Sequence, residues 1–143
     1  MIVKNLRESR ENLNLKQKDV AEILGVDYST VSGWETGKDT IPLKRLIKYA
    51  NTFKYSLDYL FGIMNKNNYQ EIILDIERLS ENLLNLRSIN NMTQETIGRK
   101  LNISTGTYCD YENGEELIST TTLFGLTTIY KPFSIDKLFQ KNI

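Results

Sequence analysis

The apolar residues between positions 13 and 62 come in short clusters, and the spacing inside each cluster predicts a helix. Val20, Ala21 and Leu24 fall at i, i+1 and i+4, one buried stripe of a short helix. Leu15, just ahead of it, is placed to staple onto Val20. Gly25 has no Cβ and supplies the left-handed residue that ends this helix. Asp27 is expected to cap the next one by accepting from its free backbone N–H groups. There Val31 and Trp34 face inward, leaving Tyr28, Ser29, Thr30, Ser32 and Gly33 mostly outward. Pro42 suits the first turn of a further helix whose apolar face is Leu46, Ile47, Ala50 and Phe53. Ser56 caps a last short turn, LDYLF, stopped by Gly62. With residues 2–12, this makes five short helices.

The same plan recurs at an offset of 77. Arg10 aligns with Arg87, Leu15 with Met92, Gln17 with Gln94, Val20 with Ile97 and Ala21 with Gly98. The register continues through Leu24/Leu101, Val26/Ile103, Trp34/Tyr111, Glu35/Glu112 and Gly37/Gly114. After one inserted residue, SLDYLF (56–61) meets SIDKLF (134–139). Two copies are too few for a solenoid, so the expectation is two tandem domains of one fold. The chain is read as all-α, with domains at 1–64 and 71–143 and a polar linker at 65–70 that contains NKNN. Beyond the linker, Ile72, Ile76, Leu79, Leu83 and Leu86 follow a 4-3-4-3 heptad spacing. That spacing predicts a first helix several turns longer than its counterpart in the first copy. The seam either packs on its own domain or forms a homodimer interface.

Composition narrows the partners. The 143 residues are 40% hydrophobic and 25% charged, ordinary for a globular protein. No apolar run approaches the roughly 20 residues needed to span a bilayer. The start, MIVKNLRESREN, does not read as a signal peptide. Cys109 is the only cysteine and histidine is absent. This excludes an internal disulfide, fits a reducing cytoplasm and leaves no zinc site of the usual ligand types. No cofactor motif and no recognisable catalytic motif is present, so an enzyme is the weakest reading. Cys109, near a helix start, is a candidate redox switch or a small buried hydrophobe. The formal net charge of zero hides an asymmetry: residues 1–66 hold eleven Lys/Arg against eight Asp/Glu, a net of +3. Residues 67–143 hold seven against ten, a net of −3. A nucleic acid is attracted to the first part and repelled by the second.

Two helices joined by a short Gly-containing turn make a helix-turn-helix. Residues 6–62 resemble the lambda-repressor/Cro-like (XRE-type) DNA-binding domain. Arg10, Gln17, Ala21, Gly25, Val31, Trp34, Glu35, Gly37 and the terminal SLDYLFG carry the resemblance. It implies that the second helix of the motif enters the major groove of double-stranded DNA. Tyr28, Ser29, Thr30, Ser32 and Gly33 would line that groove, and Gln17 would bind a phosphate and support the reading helix. Lys16, Lys18, Lys38 and Lys44 are the expected phosphate contacts. No Arg or Gln stands on the reading face, which leaves a share of specificity to DNA shape and water-mediated contacts. The family forms an ion bridge at the positions of Arg10 and Glu35, and the resemblance extends it to Arg87 and Glu112.

The second copy keeps the scaffold residues. Met92 is placed to staple to Ile97, Thr93 and Ser104 are good N-caps, and Asn102 suits a left-handed position. Tyr108 and Tyr111 take the inward places. Its outward face instead presents Thr105, Gly106, Thr107, Cys109 and Asp110, followed by Glu115 and Glu116, and carboxylates repel phosphate. STTTLFGLTT (119–128) is rich in β-branched residues and reads as a poor helix. The expectation is therefore a repressor-like transcription regulator that reads DNA with its first domain, its second domain serving dimerisation or contact with a protein partner. The alternative is a protein-interaction module, such as an antitoxin-like or anti-repressor component, in which DNA binding is secondary.

Overall fold

A computed structural model describes residues 1–141. Nine α-helices and one 3-10 helix are present among them, and no strand. The chain divides into two compact units, Met1–Glu71 and Ile72–Ile143.

The first unit contains α1 (Leu6–Asn12), α2 (Gln17–Leu24), α3 (Tyr28–Thr36), α4 (Leu43–Phe53) and α5 (Leu57–Leu60). Helix α2 starts where the Lys16 N–H donates to Asp19 Oδ2 at 2.8 Å. It ends at Gly25, whose φ of +70° a side chain would strain. The carbonyl left open there, that of Leu24, accepts from the Arg45 guanidinium reaching over from α4. Helix α3 begins after Asp27, but the Asp27 side chain makes no capping hydrogen bond. The expected cap is therefore absent, and packing holds this end: Val31 and Trp34 are buried. The core adds Leu6, Leu24, Leu46, Leu57 and Leu60, all essentially sealed from solvent. Each contributes about 1.5–3 kcal/mol of burial. Ser9 organises the polar atoms inside. Its hydroxyl donates to the Leu6 carbonyl at 2.7 Å and lies 2.6 Å from the Tyr49 hydroxyl, while the Tyr55 hydroxyl donates to the Ser9 carbonyl at 3.0 Å.

The stretch expected as a linker, 65–70, is fastened to this unit. Helix α4 stops at Lys54, a non-glycine residue at φ +63°. The Asn67 amide donates to the Lys54 carbonyl at 2.9 Å, and its oxygen accepts from the Ser56 N–H at 2.7 Å. The Tyr69 hydroxyl donates to Asn51 Oδ1 at 3.0 Å, and the Lys54 ammonium sits 5.4 Å from the Tyr69 ring centre.

The second unit contains α6 (Ile76–Ile89), α7 (Gln94–Leu101), α8 (Thr105–Glu112), α9 (Thr120–Ile129) and a 3-10 helix at Asp136–Phe139. Thr93, Ser104 and Ser119 each accept at the N-terminus of the helix that follows. Asn102 stands at φ +58° where Gly25 stands in the first unit.

Two expectations need correction here. The segment 119–128 lies almost wholly within a ten-residue helix, α9. Its β-branched residues lower intrinsic propensity by only a few tenths of a kcal/mol each. The Ser119 cap and the burial of Thr122, Leu123 and Leu126 outweigh that. The heptad stretch, in turn, does not run as one helix from position 72. Asp75 caps α6 by accepting from the Arg78 N–H at 3.2 Å, so Ile72 precedes the helix. Ile72, Leu79 and Leu83 are buried, Leu86 is half-buried, and Ile76 is 39% exposed. The five residues thus form no continuous exposed seam, and α6 packs against α8 and the 3-10 helix.

Candidate nucleic-acid interface

The outer surface of α2 and α3 is held in place by one carboxylate. Glu35, buried on α3, accepts from Arg10 Nε at 2.7 Å and Arg10 Nη2 at 2.9 Å, both from α1. It also accepts from Gln17 Nε2, on α2, at 3.0 Å. Arg10 uses its remaining reach to donate to the Leu15 carbonyl at 2.8 Å, bracing the turn between α1 and α2. Three helices therefore meet on one side chain. Burial by itself would raise the Glu35 pKa, but hydrogen bonds from Arg10 and Gln17, with the Arg10 charge, hold it below the ordinary value. Arg7, 53% exposed in its side chain, adds a longer contact at 3.5 Å.

On this frame Tyr28 and Ser29 are exposed, and Thr30 and Ser32 are half-exposed. Lys16, Lys18, Lys38 and Lys44 are all exposed, and none forms an ion pair among the described residues. Gly33 departs from expectation: it is buried, and a Cβ there would stand 3.0 Å from Asp39 Oδ2. The loop after α3 folds back, with the Asp39 N–H donating to the Gly33 carbonyl at 3.1 Å, and covers that side of the helix. Gly33 is thus a buried close-approach position and not the outward residue expected. Gln17 is half-buried, with one amide N–H committed to Glu35.

Sequence reasoning missed Arg7 and Arg45. Arg7 lies one turn before Arg10 on α1, a spacing that could have flagged it. Nothing local marks Arg45, whose partner lies 21 residues earlier.

The second unit has a matching clasp. Arg87 Nε and Nη2 donate to Glu112 at 2.6 and 3.0 Å, Gln94 Nε2 donates to it at 3.0 Å, and Arg87 Nη1 donates to the Met92 carbonyl at 2.9 Å. Burial opposes the Glu112 charge, but the bonds from Arg87 and Gln94 keep its pKa low. Around this clasp the chemistry differs. Cys109 is half-buried and its thiol donates to Gln94 Oε1 at 3.0 Å. The Tyr108 and Tyr130 hydroxyls are buried without a hydrogen-bond partner among the described residues. Burial, and then the nearby Glu112 carboxylate, push the Tyr108 hydroxyl far above its usual pKa, although the pair does not reach hydrogen-bond geometry. Thr105 and Gly106 are exposed, Thr107 and Asp110 half-exposed, and Glu115 and Glu116 exposed.

Among the described residues, no helix is long and apolar enough to cross a membrane, and no cluster of three or more His, Cys, Asp or Glu could hold a metal ion.

Residues 6–60 match the helix-turn-helix family. The chain is 24% identical over 80 residues to the cryptic phage CTXphi transcriptional repressor RstR of Vibrio cholerae serotype O1 (strain ATCC 39315 / El Tor Inaba N16961), covering 56% of this chain and 71% of that protein. It is 32% identical over 72 residues to the uncharacterized HTH-type transcriptional regulator YqaE of Bacillus subtilis (strain 168), covering 50% of this chain and 62% of that protein. No solved structure matches the chain significantly. Residues 6–60 are thus similar to a helix-turn-helix domain, and the matches support a DNA-binding transcription regulator. Regulators built on this motif are generally not enzymes.

Proposed function

We infer that the chain is a sequence-specific double-stranded DNA-binding transcription regulator of repressor type, acting in the cytoplasm and reading DNA with α3 of its first unit. The observation that carries this reading is a rigidly clasped helix whose exposed side chains, Tyr28 and Ser29 foremost, are flanked by uncompensated lysines. Tyr28 is 64% exposed at the start of α3, where a helix lying in the major groove meets base edges. Its ring suits a thymine methyl and its hydroxyl a base acceptor, while Ser29 and Ser32 pair with several bases. Lys16, Lys18, Lys38 and Lys44 are assigned to phosphates. Gln17 supports α3 through Glu35 and has one amide proton left for a phosphate.

The second unit is read as a degenerate copy of the same five-helix fold. Support comes from the matching clasps, from left-handed residues at 14, 25 and 37 paired with 91, 102 and 114, and from helices displaced by 77. The acidic side chains beside α8 favour a protein contact there over DNA. Two copies of the chain would present two reading helices to half-sites about one DNA turn apart.

Fluorescence anisotropy of the full chain with duplex DNA, across a salt series, tests this reading. The affinity should fall log-linearly with salt. Removing one phosphate partner, by Lys18→Ala or Lys38→Ala, should reduce the slope by about 0.9. Tyr28→Ala should flatten the preference between a selected site and random duplex. Absence of binding by the wild-type chain at low salt and μM concentration would end the proposal.

A further inference from the structure

Helices α2 and α3 correspond to α7 and α8 at the offset of 77, and at three matching positions exposed charges change sign, while Asp39 and Glu116 keep theirs. Lys18 corresponds to Glu95, Glu22 to Arg99, and Lys38 to Glu115, and all six side chains are exposed. The backbone carrying them is alike in both units: Gly37 and Gly114 stand at φ +83° and +72°, and Gln17 and Gln94 each donate to their clasp carboxylate at 3.0 Å. Lys18, Lys38, Glu95 and Glu115 form no ion pair among the described residues. Loss of DNA binding alone would need only neutral replacements, such as Thr93 opposite Lys16 or Thr121 opposite Lys44. Reversal creates attraction towards a lysine-rich surface, and this chain carries such a surface itself.

We propose that the α7–α8 face of one chain docks on the α2–α3 face of a second copy, bringing Glu95 and Glu115 to Lys18 and Lys38. Each chain holds both faces, so either copy can offer the face that the other's docks on. Basic-on-basic and acidic-on-acidic pairings repel, which fixes the orientation. Resting on the DNA reading above, the docked form covers the residues that would meet DNA, and DNA competes with the partner chain for one surface.

The test is sedimentation of the full-length chain at ionic strengths of about 0.1 M and about 1 M, where exposed charges are screened beyond about 10 Å and about 3 Å. Wild type should associate in the first and separate in the second. Lys18→Glu/Lys38→Glu and Glu95→Lys/Glu115→Lys, all at exposed sites, should each associate roughly tenfold or more weakly, as removal of close interfacial charge pairs does. An equimolar mixture of the two variants should recover association, because each then offers the other two complementary faces. A chain that is monomeric at both ionic strengths overturns the proposal. So does association indifferent to salt and to both variants, or a mixture that fails to recover. Excess random-sequence duplex should separate wild-type copies, and a duplex that binds the associated form intact overturns the masking. Association as described without any DNA binding leaves the charge pairing standing and removes the DNA reading. DNA binding with association indifferent to the variants does the reverse.

Discussion

Replacing Glu35 with alanine removes the acceptor on which α1, α2 and α3 converge. The wild-type carboxylate takes bonds of 2.7, 2.9 and 3.0 Å from Arg10 and Gln17, and its side chain is 1% exposed against 11% for Arg10. In the variant Arg10 keeps only the Leu15 carbonyl, and a largely buried guanidinium charge loses its counter-ion. Breaking a buried pair from one side costs about 3–5 kcal/mol. Residual access of water to Arg10 places this case at the low end, about 3 kcal/mol, a large fraction of the 5–15 kcal/mol by which domains are typically stable. Trp34, the only tryptophan in the chain, is buried in α3 beside Glu35, so its fluorescence in urea follows the first unit. With a slope of about 1 kcal/mol per molar urea, the midpoint should fall by about 3 M. Glu35→Gln keeps an acceptor without the charge and should fall between the two. A loss below about 0.5 kcal/mol for Glu35→Ala would refute the clasp as a stabilising device.

Three further outcomes can be measured on the same chain. Glu35 and Glu112 both have folded pKa values below their ordinary 4.5, so their stabilisation is present above that value and lost as pH falls through the folded values. Urea midpoints should therefore drop in acid, and less steeply for Glu35→Gln. The Tyr130 hydroxyl is buried without a hydrogen-bond partner among the described residues, and burial pushes its pKa up to about 12. Tyr130→Phe should gain about 1–2 kcal/mol in a circular-dichroism melt, and a loss of that size would show that the hydroxyl is engaged. A Cβ on Gly98 would lie 3.2 Å from the Ile103 carbonyl oxygen, part of the turn that sets α7 against α8. Gly98→Ala should cost about 1–2 kcal/mol despite a better helix propensity, and a more stable variant would contradict that close packing.

The first unit was largely legible because its punctuation is local: Gly25, Pro42 and Ser56 mark ends that an isolated segment already favours. Clasp residues were legible only through the repeat and the family resemblance, since nothing local ties position 10 to position 35. Misreadings arose where tertiary burial overrode a local signal. The threonine-rich α9 is helical because Leu123 and Leu126 are buried, which no propensity records. The apolar stripe at 72–86 left packing on its own domain and a homodimer interface both open, because periodicity shows that one face is apolar but not what covers it. Gly33 looked like an outward residue until the fold placed Asp39 across it. Arg45 could not have been found, because its partner is a carbonyl exposed by the end of another helix.

Asn67 changes where the first unit should be thought to end. Its amide closes the carbonyl of left-handed Lys54 and its oxygen takes the N–H at the start of α5, so one side chain completes the corner between two helices. Polar composition suggests a tether from 65 onward, yet the backbone of that corner draws two of its hydrogen bonds from within it. A fragment cut at 64 would therefore keep the five helices and still lack part of what holds the last two together. The border of a domain lies where its hydrogen bonds stop being reciprocated, and here that is beyond Tyr69.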